Sequence, residues 1–384
     1  MVIIANKLLS LAEKQKLIDD FCKEANKNAG KTIMGRINNN EDIMNQLIVK
    51  CIPTPSLCLN AAMGGGFPRG NITVITGKED SGKTFIILES IGLKMKEDPS
   101  FTVAWLESEN SLKLRHLEIF DIDKSRFTLI YHDRKSGGEK SLSEFESLIA
   151  TGGIDMAVIN SLKAIAPSEE LQSDLGSNQV ALQARLNSKF TRKITPIITQ
   201  HNIALVITQH LSTMIGTYGS PQQMTGGLAI KYAAMIILDM RKIPFEKSGE
   251  PYTKEQAMKI KVTVKKNHLV VDRYPYCEIE YYAVYNKGID RNQEIITLAL
   301  NQGIIVKSGS FLKILDDDGN VLVRDKIKYQ WQGVAKLKDF CDSHPDFFEE
   351  LKNCVTGEYK DVSMDEVNVL PENIDELIDN MENK

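Results

Sequence analysis

Eight consecutive residues, Gly77, Lys78, Glu79, Asp80, Ser81, Gly82, Lys83 and Thr84, fit the pattern GxxxxGK[ST] and predict a phosphate-binding loop. Backbone N–H groups of the glycine-bearing turn and of the helix start would surround the phosphates. Lys83 would reach the β- and γ-phosphates, and the Thr84 hydroxyl would ligate Mg²⁺. The setting is the one this chemistry needs, an apolar strand at 72–76 before the loop and a helix-compatible run at 85–96 after it, opened by Phe85. A chance glycine-rich turn is the weaker reading in that context.

A nucleotide site alone does not fix a function, because the same loop serves kinases, GTPases, helicases and transporters. Two other patterns narrow the choice. Glu107-Ser108-Glu109-Asn110 follows an apolar run at 102–106, which sets Glu109 at the carboxyl end of a strand, a place suited to a general base. Arg185, Lys189 and Arg192 are spaced to share one helix face, with Leu182, Leu186, Phe190 and Ile194 on another. A basic stripe of this kind suits nucleic-acid phosphates if a groove lies beside it, and a solvated charged face is the ordinary alternative.

The elements that would position these groups are legible as β-branched runs at 72–76, 102–106, 154–159, 204–208, 235–240, 260–264 and 278–285, separated by amphipathic stretches. Near-continuous apolar strands between helices imply a mainly parallel sheet covered on both faces, with an antiparallel edge where connections shorten. Ahead of them, 8–25 carries Leu8, Leu9, Leu11, Leu17, Ile18 and Phe21 at near-helical spacing before a breaker stretch at 26–31. Such a helix usually packs on its own core, and docking on a neighbouring subunit is the alternative. After about residue 289 helices and polar turns take over.

Composition agrees with a large α/β protein: 384 residues, 42% of them hydrophobic, allow one sizeable core with smaller modules. No apolar run approaches the roughly 20 residues that span a bilayer, and the N-terminus does not read as a secretory signal, so a cytoplasmic protein is expected. The six cysteines include no CxxC pair, so neither a zinc site nor a disulfide framework is expected. The net charge of −4 hides an uneven distribution: the last 24 residues hold eight acids against Lys384 and sum to −7, which leaves the rest at +3. A mildly basic body with an acidic tail suits a DNA binder whose tail competes with phosphate, and a solubilising tail fits the same numbers.

From the N-terminal helix to roughly residue 315 the chain resembles the RecA recombinases. The glycine-rich approach at 53–70 looks like the segment that leads into the same loop there. Glu107-Ser108-Glu109-Asn110 resembles the family's acidic pair, and Glu109 falls on the glutamate that activates water against the γ-phosphate. Gly176-Ser177-Asn178-Gln179, with the helix that follows, resembles the first DNA-binding loop. The stretch at 208–232 resembles the switch glutamine, the second DNA-binding loop and the glycine pair beyond it. The resemblance implies that Gln209 senses the γ-phosphate and that Met214, Ile215 and Tyr218 contact bases, a sequence-tolerant way to grip a single strand. It implies that Lys266, in Val262-Thr263-Val264-Lys265-Lys266-Asn267-His268, neutralises phosphate charge on the neighbouring subunit's ATP. Tyr285 matches a residue near the adenine, and His116 stands where the family has a stacking tyrosine.

The pattern departs at Asn160-Ser161, where the family carries Asp-Ser. An amide keeps an acceptor oxygen but loses the charge, so Asn160 is expected to be a weak Mg²⁺ ligand through water, with Glu107 as a substitute. His268 replaces the family's second trans lysine, Ile237 replaces an arginine, and the C-terminal module with Trp331, Phe347 and Phe348 follows the family only loosely. Such drift resembles phage-type relatives in the manner of the UvsX recombinases.

The resemblance implies an α/β fold with a P-loop RecA-like ATPase core, a mainly parallel sheet, an N-terminal helix and a small α+β C-terminal domain. The expected division is a helical oligomerisation segment at 1–50, the core with its DNA-binding loops at 51–288, the C-terminal domain at 289–358 and an acidic tail at 359–384. The implied activity is ATP hydrolysis coupled to homologous pairing and strand exchange, with ATP and Mg²⁺ as cofactors. The implied partners are single-stranded DNA, homologous duplex DNA and further copies in a helical filament, without a membrane. An ATP-gated DNA-binding filament with little turnover and a RecA-fold helicase-type motor are the alternatives.

Overall fold

The computed structural model describes residues 10–30, 32–37, 41–133, 137–172, 180–213, 222–224, 228–245, 251–270, 277–316, 318–324 and 326–356. The chain divides into two compact units, Met1–Lys50 and Cys51–Lys384.

In the first unit, α1 (Leu11–Ala29) starts at a capping box in which Ser10 and Glu13 satisfy each other's backbone N–H groups, and it ends on Gly30 at φ 66°. The segment after it folds back along the helix: Arg36 grips Asp19 through two hydrogen bonds of 2.8 and 2.7 Å, and the Asn26 side chain bonds the backbone of Ile33 and Met34. A short α2 (Glu41–Leu47) follows. No residue of α1 is buried, and Leu11, Leu17, Ile18 and Phe21 are exposed.

The second unit opens with a two-stranded ribbon, β1 (Cys51–Ile52) and β2 (Phe67–Pro68), around α3 (Leu57–Met63). There follow β3 (Ile72–Gly77), α4 (Lys83–Glu97), β4 (Val103–Glu107), α5 (Leu114–Ile119), β5 (Phe127–Tyr131), α6 (Gly138–Ile149), β6 (Met156–Asn160), α7 (Ser168–Gln172), α8 (Val180–Gln200) and β7 (Ala204–Gln209). A small hairpin of β8 (Leu211–Thr213) and β9 (Gln222–Met224) then leads to α9 (Leu228–Ala233), β10 (Ala234–Ile243), β11 (Ala257–Asn267), β12 (Glu278–Val284) and β13 (Gly288–Ile289).

Among the described residues nine strands form one sheet in the order β13-β12-β11-β10-β3-β7-β6-β4-β5. Pairing is parallel from β10 through β5 and antiparallel from β10 to β13, as the apolar runs implied. Alternate side chains go to opposite faces. Val103 and Trp105 of β4, and Met156 and Val158 of β6, join α4 in one core. Their neighbours Ala104, Leu106, Ala157 and Ile159 join α6 and α8 in the other. Helix α8 buries Leu186, Phe190, Ile194 and Ile198. Two residues beyond its end, Asn202 adopts a left-handed φ of 53°, which lets Ile203 N reach Ile198 O at 2.9 Å just before β7.

Within the same unit the C-terminal stretch has its own core. It comprises α10 (Arg291–Asn301), β14 (Val306–Ser308), β15 (Phe311–Lys313), β16 (Val323–Arg324), β17 (Ile327–Lys328), β18 (Gln330–Gln332), α11 (Gly333–Ser343) and α12 (Pro345–Thr356). Trp331, whose surroundings were unfamiliar in sequence, lies among Tyr329, Phe340 and Phe347 in an aromatic cluster. No described helix is long and apolar enough to cross a membrane.

Candidate active site

Because β3, β4, β6 and β7 run parallel, their carboxyl ends lie on one edge, where ligands of open α/β sheets bind. The edge carries Gly77 as the last residue of β3, Glu107 at the end of β4 with Ser108 and Glu109 beyond it, Asn160 ending β6 with Ser161 beyond it, and Gln209 ending β7 with His210 beyond it. Register brings Thr76 opposite Gln209 and Glu107 opposite Asn160.

The phosphate loop is built for an anion. Gly82, at φ 87°, caps α4 without a side chain, leaving the first N–H groups of a 15-residue helix uncapped by any side chain. A Cβ on Gly82 would lie 2.4 Å from Ile260 Cδ1. Asp80 also adopts positive φ, 54°. Lys83 is buried, and its ammonium donates to Gly77 O at 3.1 Å and Lys78 O at 2.7 Å. Burial pushes its pKa below the ordinary lysine value, against the upward pull of Glu109, Glu79 and Asp80. A buried ammonium whose partners, the carbonyls of Gly77 and Lys78 and the Ser81 hydroxyl, are all uncharged, beside an open helix N-terminus, fits a polyphosphate. Half-buried Thr84 follows it in the first turn. Among the described residues no group of three or more His, Cys, Asp or Glu is placed to hold a metal; at the loop, the Thr84 hydroxyl is an oxygen that could ligate a cation alongside the phosphates.

Behind the loop lies a polar network. Glu107 is fully buried. Its Oε2 accepts from Trp105 Nε1 (2.9 Å) and Asn160 Nδ2 (3.0 Å), and its Oε1 from the backbone of Glu109 and Ser111 and from the Ser111 hydroxyl. Asn160 Oδ1 accepts from Thr208 at 2.8 Å. The expectation that Glu107 substitutes at the metal is therefore corrected: it is sealed from solvent with both oxygens engaged. The amide at 160 has a physical reason, since its NH₂ donates to a buried carboxylate where an ionised aspartate would repel it. Glu109 is half-buried, and its Oε1 accepts from Ser161 Oγ and from His210 Nε2, the latter at 2.8 Å. Gln209 is 1% exposed with its Oε1 lacking a hydrogen bond.

Other expected residues lie apart from this cluster. Phe85 packs edge-on against Phe120 at 5.0 Å, toward α5. His116, on α5, accepts from Lys113 N at 3.3 Å, and Tyr285 is exposed in the turn between β12 and β13. Lys266 donates to Lys231 O (3.0 Å) and Tyr232 O (2.9 Å) of its own chain, and burial and Lys231 lower its pKa. Arg185, Lys189 and Arg192 form an exposed face of α8, opposite its buried stripe. Met214, Ile215 and Tyr218, like 173–179 of the first loop, lie outside the described residues. Sequence reasoning gave no role to Thr208, Ser111, Ser161 or His210. Their position at or next to strand ends was the available signal.

Comparison with known proteins identifies the family. The family described as the RecA N-terminal domain matches residues 16–290. Protein RecA of Lactobacillus johnsonii is 31% identical over 349 residues, 90% of this chain and 90% of that protein. Protein RecA of Aquifex aeolicus is 31% identical over 344 residues, 89% and 92% of the two chains. Protein RecA of Bdellovibrio bacteriovorus is 30% identical over 343 residues, 89% and 85%. With the family match spanning the whole parallel sheet and its carboxyl edge, the chain belongs to the RecA family.

Proposed function

We propose that the protein is an ATP-dependent recombinase that assembles on single-stranded DNA, pairs it with homologous duplex and exchanges strands. The observation that carries the reading is the convergence of the phosphate loop, Glu109 and Gln209 on one sheet edge, with Gln209 two residues before the β8–β9 hairpin. Lys83 and the α4 N-terminus hold the phosphates, with Gly77 to Thr84 as the cradle. Thr84 would hold Mg²⁺ beside the phosphates, where the ion would neutralise their charge, with Asn160 as a weak ligand through water. Glu109 Oε2, which carries no hydrogen bond among the described residues, takes the proton of the attacking water. Gln209, with its unsatisfied buried oxygen, has an amide available to the γ-phosphate and passes its presence to the hairpin. Lys266 acts on a neighbouring subunit's phosphate once released from its own α9 carbonyls. His116 and Tyr285 flank the base. Arg185, Lys189 and Arg192 contact DNA phosphates, and Met214, Ile215 and Tyr218 contact bases.

The exposed apolar face of α1 fits a helix that docks on the next subunit of a filament, which makes 1–50 the assembly segment, 51–288 the core, 289–358 a C-terminal module and 359–384 an acidic tail. Cytoplasmic DNA is the fitting substrate. A second reading, an ATP-gated filament with little turnover, is favoured by the sealed Glu107–Asn160 pair, in which an amide replaces the family's aspartate and both Glu107 oxygens are engaged. ATP hydrolysis with and without single-stranded DNA, beside a Glu109→Gln variant, tests both. DNA-stimulated turnover abolished by the variant supports the recombinase. DNA binding without turnover selects the second reading.

A further inference from the structure

We infer that His210 is a positioning residue through which the β8–β9 hairpin sets the orientation of Glu109; the inference rests on the proposed role of Glu109 as general base. Its Nε2 lies 2.8 Å from Glu109 Oε1, and because a carboxylate only accepts, the imidazole donates. Ser161 Oγ donates to the same oxygen from the end of β6. Both donors therefore hold Oε1 and leave Oε2 as the atom that can take a proton. The two anchors differ in what fixes them. Ser161 follows a central strand whose five residues are all buried, whereas His210 is the single residue between β7 and β8, whose Leu211, Ser212 and Thr213 pair with Met224, Gln223 and Gln222.

A rotation of the hairpin about residue 210 thus swings the imidazole and with it one of the two bonds that fix Glu109. Gln209 reports the γ-phosphate to the hairpin, and His210 returns the hairpin's state to the general base. Their side chains belong to adjacent residues, so the two signals share one segment of backbone.

The test uses the full-length protein with ATP, Mg²⁺ and single-stranded DNA. In His210→Leu, which keeps bulk but has no donor, DNA-stimulated kcat is expected to fall about tenfold or more, the scale of a lost alignment. KM for ATP and DNA affinity with a non-hydrolysable ATP analogue should stay within about twofold of the parent. His210→Gln, which restores an N–H donor, should recover most of the lost kcat, a rescue that a merely structural role would not give. Unchanged kcat in His210→Leu, or a loss that glutamine does not rescue, overturns the inference while leaving Glu109 as the base. If Glu109→Gln retains turnover, the base assignment fails and the inference falls with it.

Discussion

Two helices of similar length and similar pattern, α1 with 19 residues and α8 with 21, meet opposite fates. Both carry an apolar stripe at helical spacing. In α8 that stripe is filled by Leu186, Phe190, Ile194 and Ile198 against the sheet, and the opposite face is basic. In α1 the corresponding Leu11, Leu17, Ile18 and Phe21 are exposed, and within its own unit the helix has its cap, its Gly30 terminus and the strap made by Arg36 and Asn26. Periodicity states that a face is apolar and leaves open whether the same chain covers it. An uncovered stripe on a capped helix is what docking on another copy requires.

The largest expected effect breaks or upholds that contrast directly. Phe190→Ala should cost about 3–5 kcal/mol of stability, by lost burial and a residual cavity, whereas Phe21→Ala should change the isolated chain by less than about 0.5 kcal/mol. Urea unfolding of the DNA-free, nucleotide-free protein measures both. Light scattering should show that only Phe21→Ala weakens assembly among correctly folded variants. Equal destabilisation by the two substitutions would mean that α1 is covered within its own chain.

A somewhat smaller effect concerns what burial does to polar groups in the second unit. Glu89, on α4, is 8% exposed and accepts from Ile289 N at 3.0 Å, and desolvation raises its pKa from 4.5 to about 7. Below 4.5 the group is protonated in both states and has no effect. As pH rises the unfolded chain ionises first, so stability falls until the folded carboxyl also ionises near 7, and is level above that. At 1.36 kcal/mol per unit the change is about 3 kcal/mol. Denaturation midpoints across this window should fall in the parent and flatten in Glu89→Gln. An identical slope in the variant would show that the carboxyl is solvated. No loss of stability on raising the pH through this window is expected from α1, none of whose residues is buried and whose Glu13 and Asp19 are held below, not above, their ordinary pKa.

The same contrast explains what could be read in advance. β3, β4, β6 and β7 were legible because strands covered on both faces are continuous apolar runs. β5 was not, because at the sheet edge only Phe127 is buried, and β8 and β9 were not, because Leu-Ser-Thr and Gln-Gln-Met have no strand signature. At the site, the phosphate loop is contiguous and so visible, and Glu109 and Gln209 follow runs that announce strand ends. The Glu107–Asn160 pair and the Glu109–His210 bond join residues 53 and 101 positions apart, across strands that the sheet does not order as the sequence does. No local pattern encodes such a meeting.

The smallest expected effect sharpens the comparison at the helix start. Ser10 accepts from Glu13 N, and Glu13 Oε2 accepts from Ser10 N at 2.8 Å, bonds that hold the Glu13 carboxyl below its ordinary pKa, the Ser10 backbone contributing most. Removing the hydroxyl in Ser10→Ala should cost about 1 kcal/mol of helix stability. In a helix with a buried stripe such a loss is absorbed into global unfolding. In α1 it should appear locally, as roughly fivefold faster amide exchange across 11–29 with 180–200 unchanged. The cap should also weaken in the parent as pH falls through the depressed Glu13 pKa, because the box needs the carboxylate. Hydrogen exchange on the unassembled protein reads both effects. If exchange across 11–29 is indifferent to Ser10→Ala and to pH, then α1 is held by contacts rather than by its cap, and its apolar face is not waiting for a neighbour.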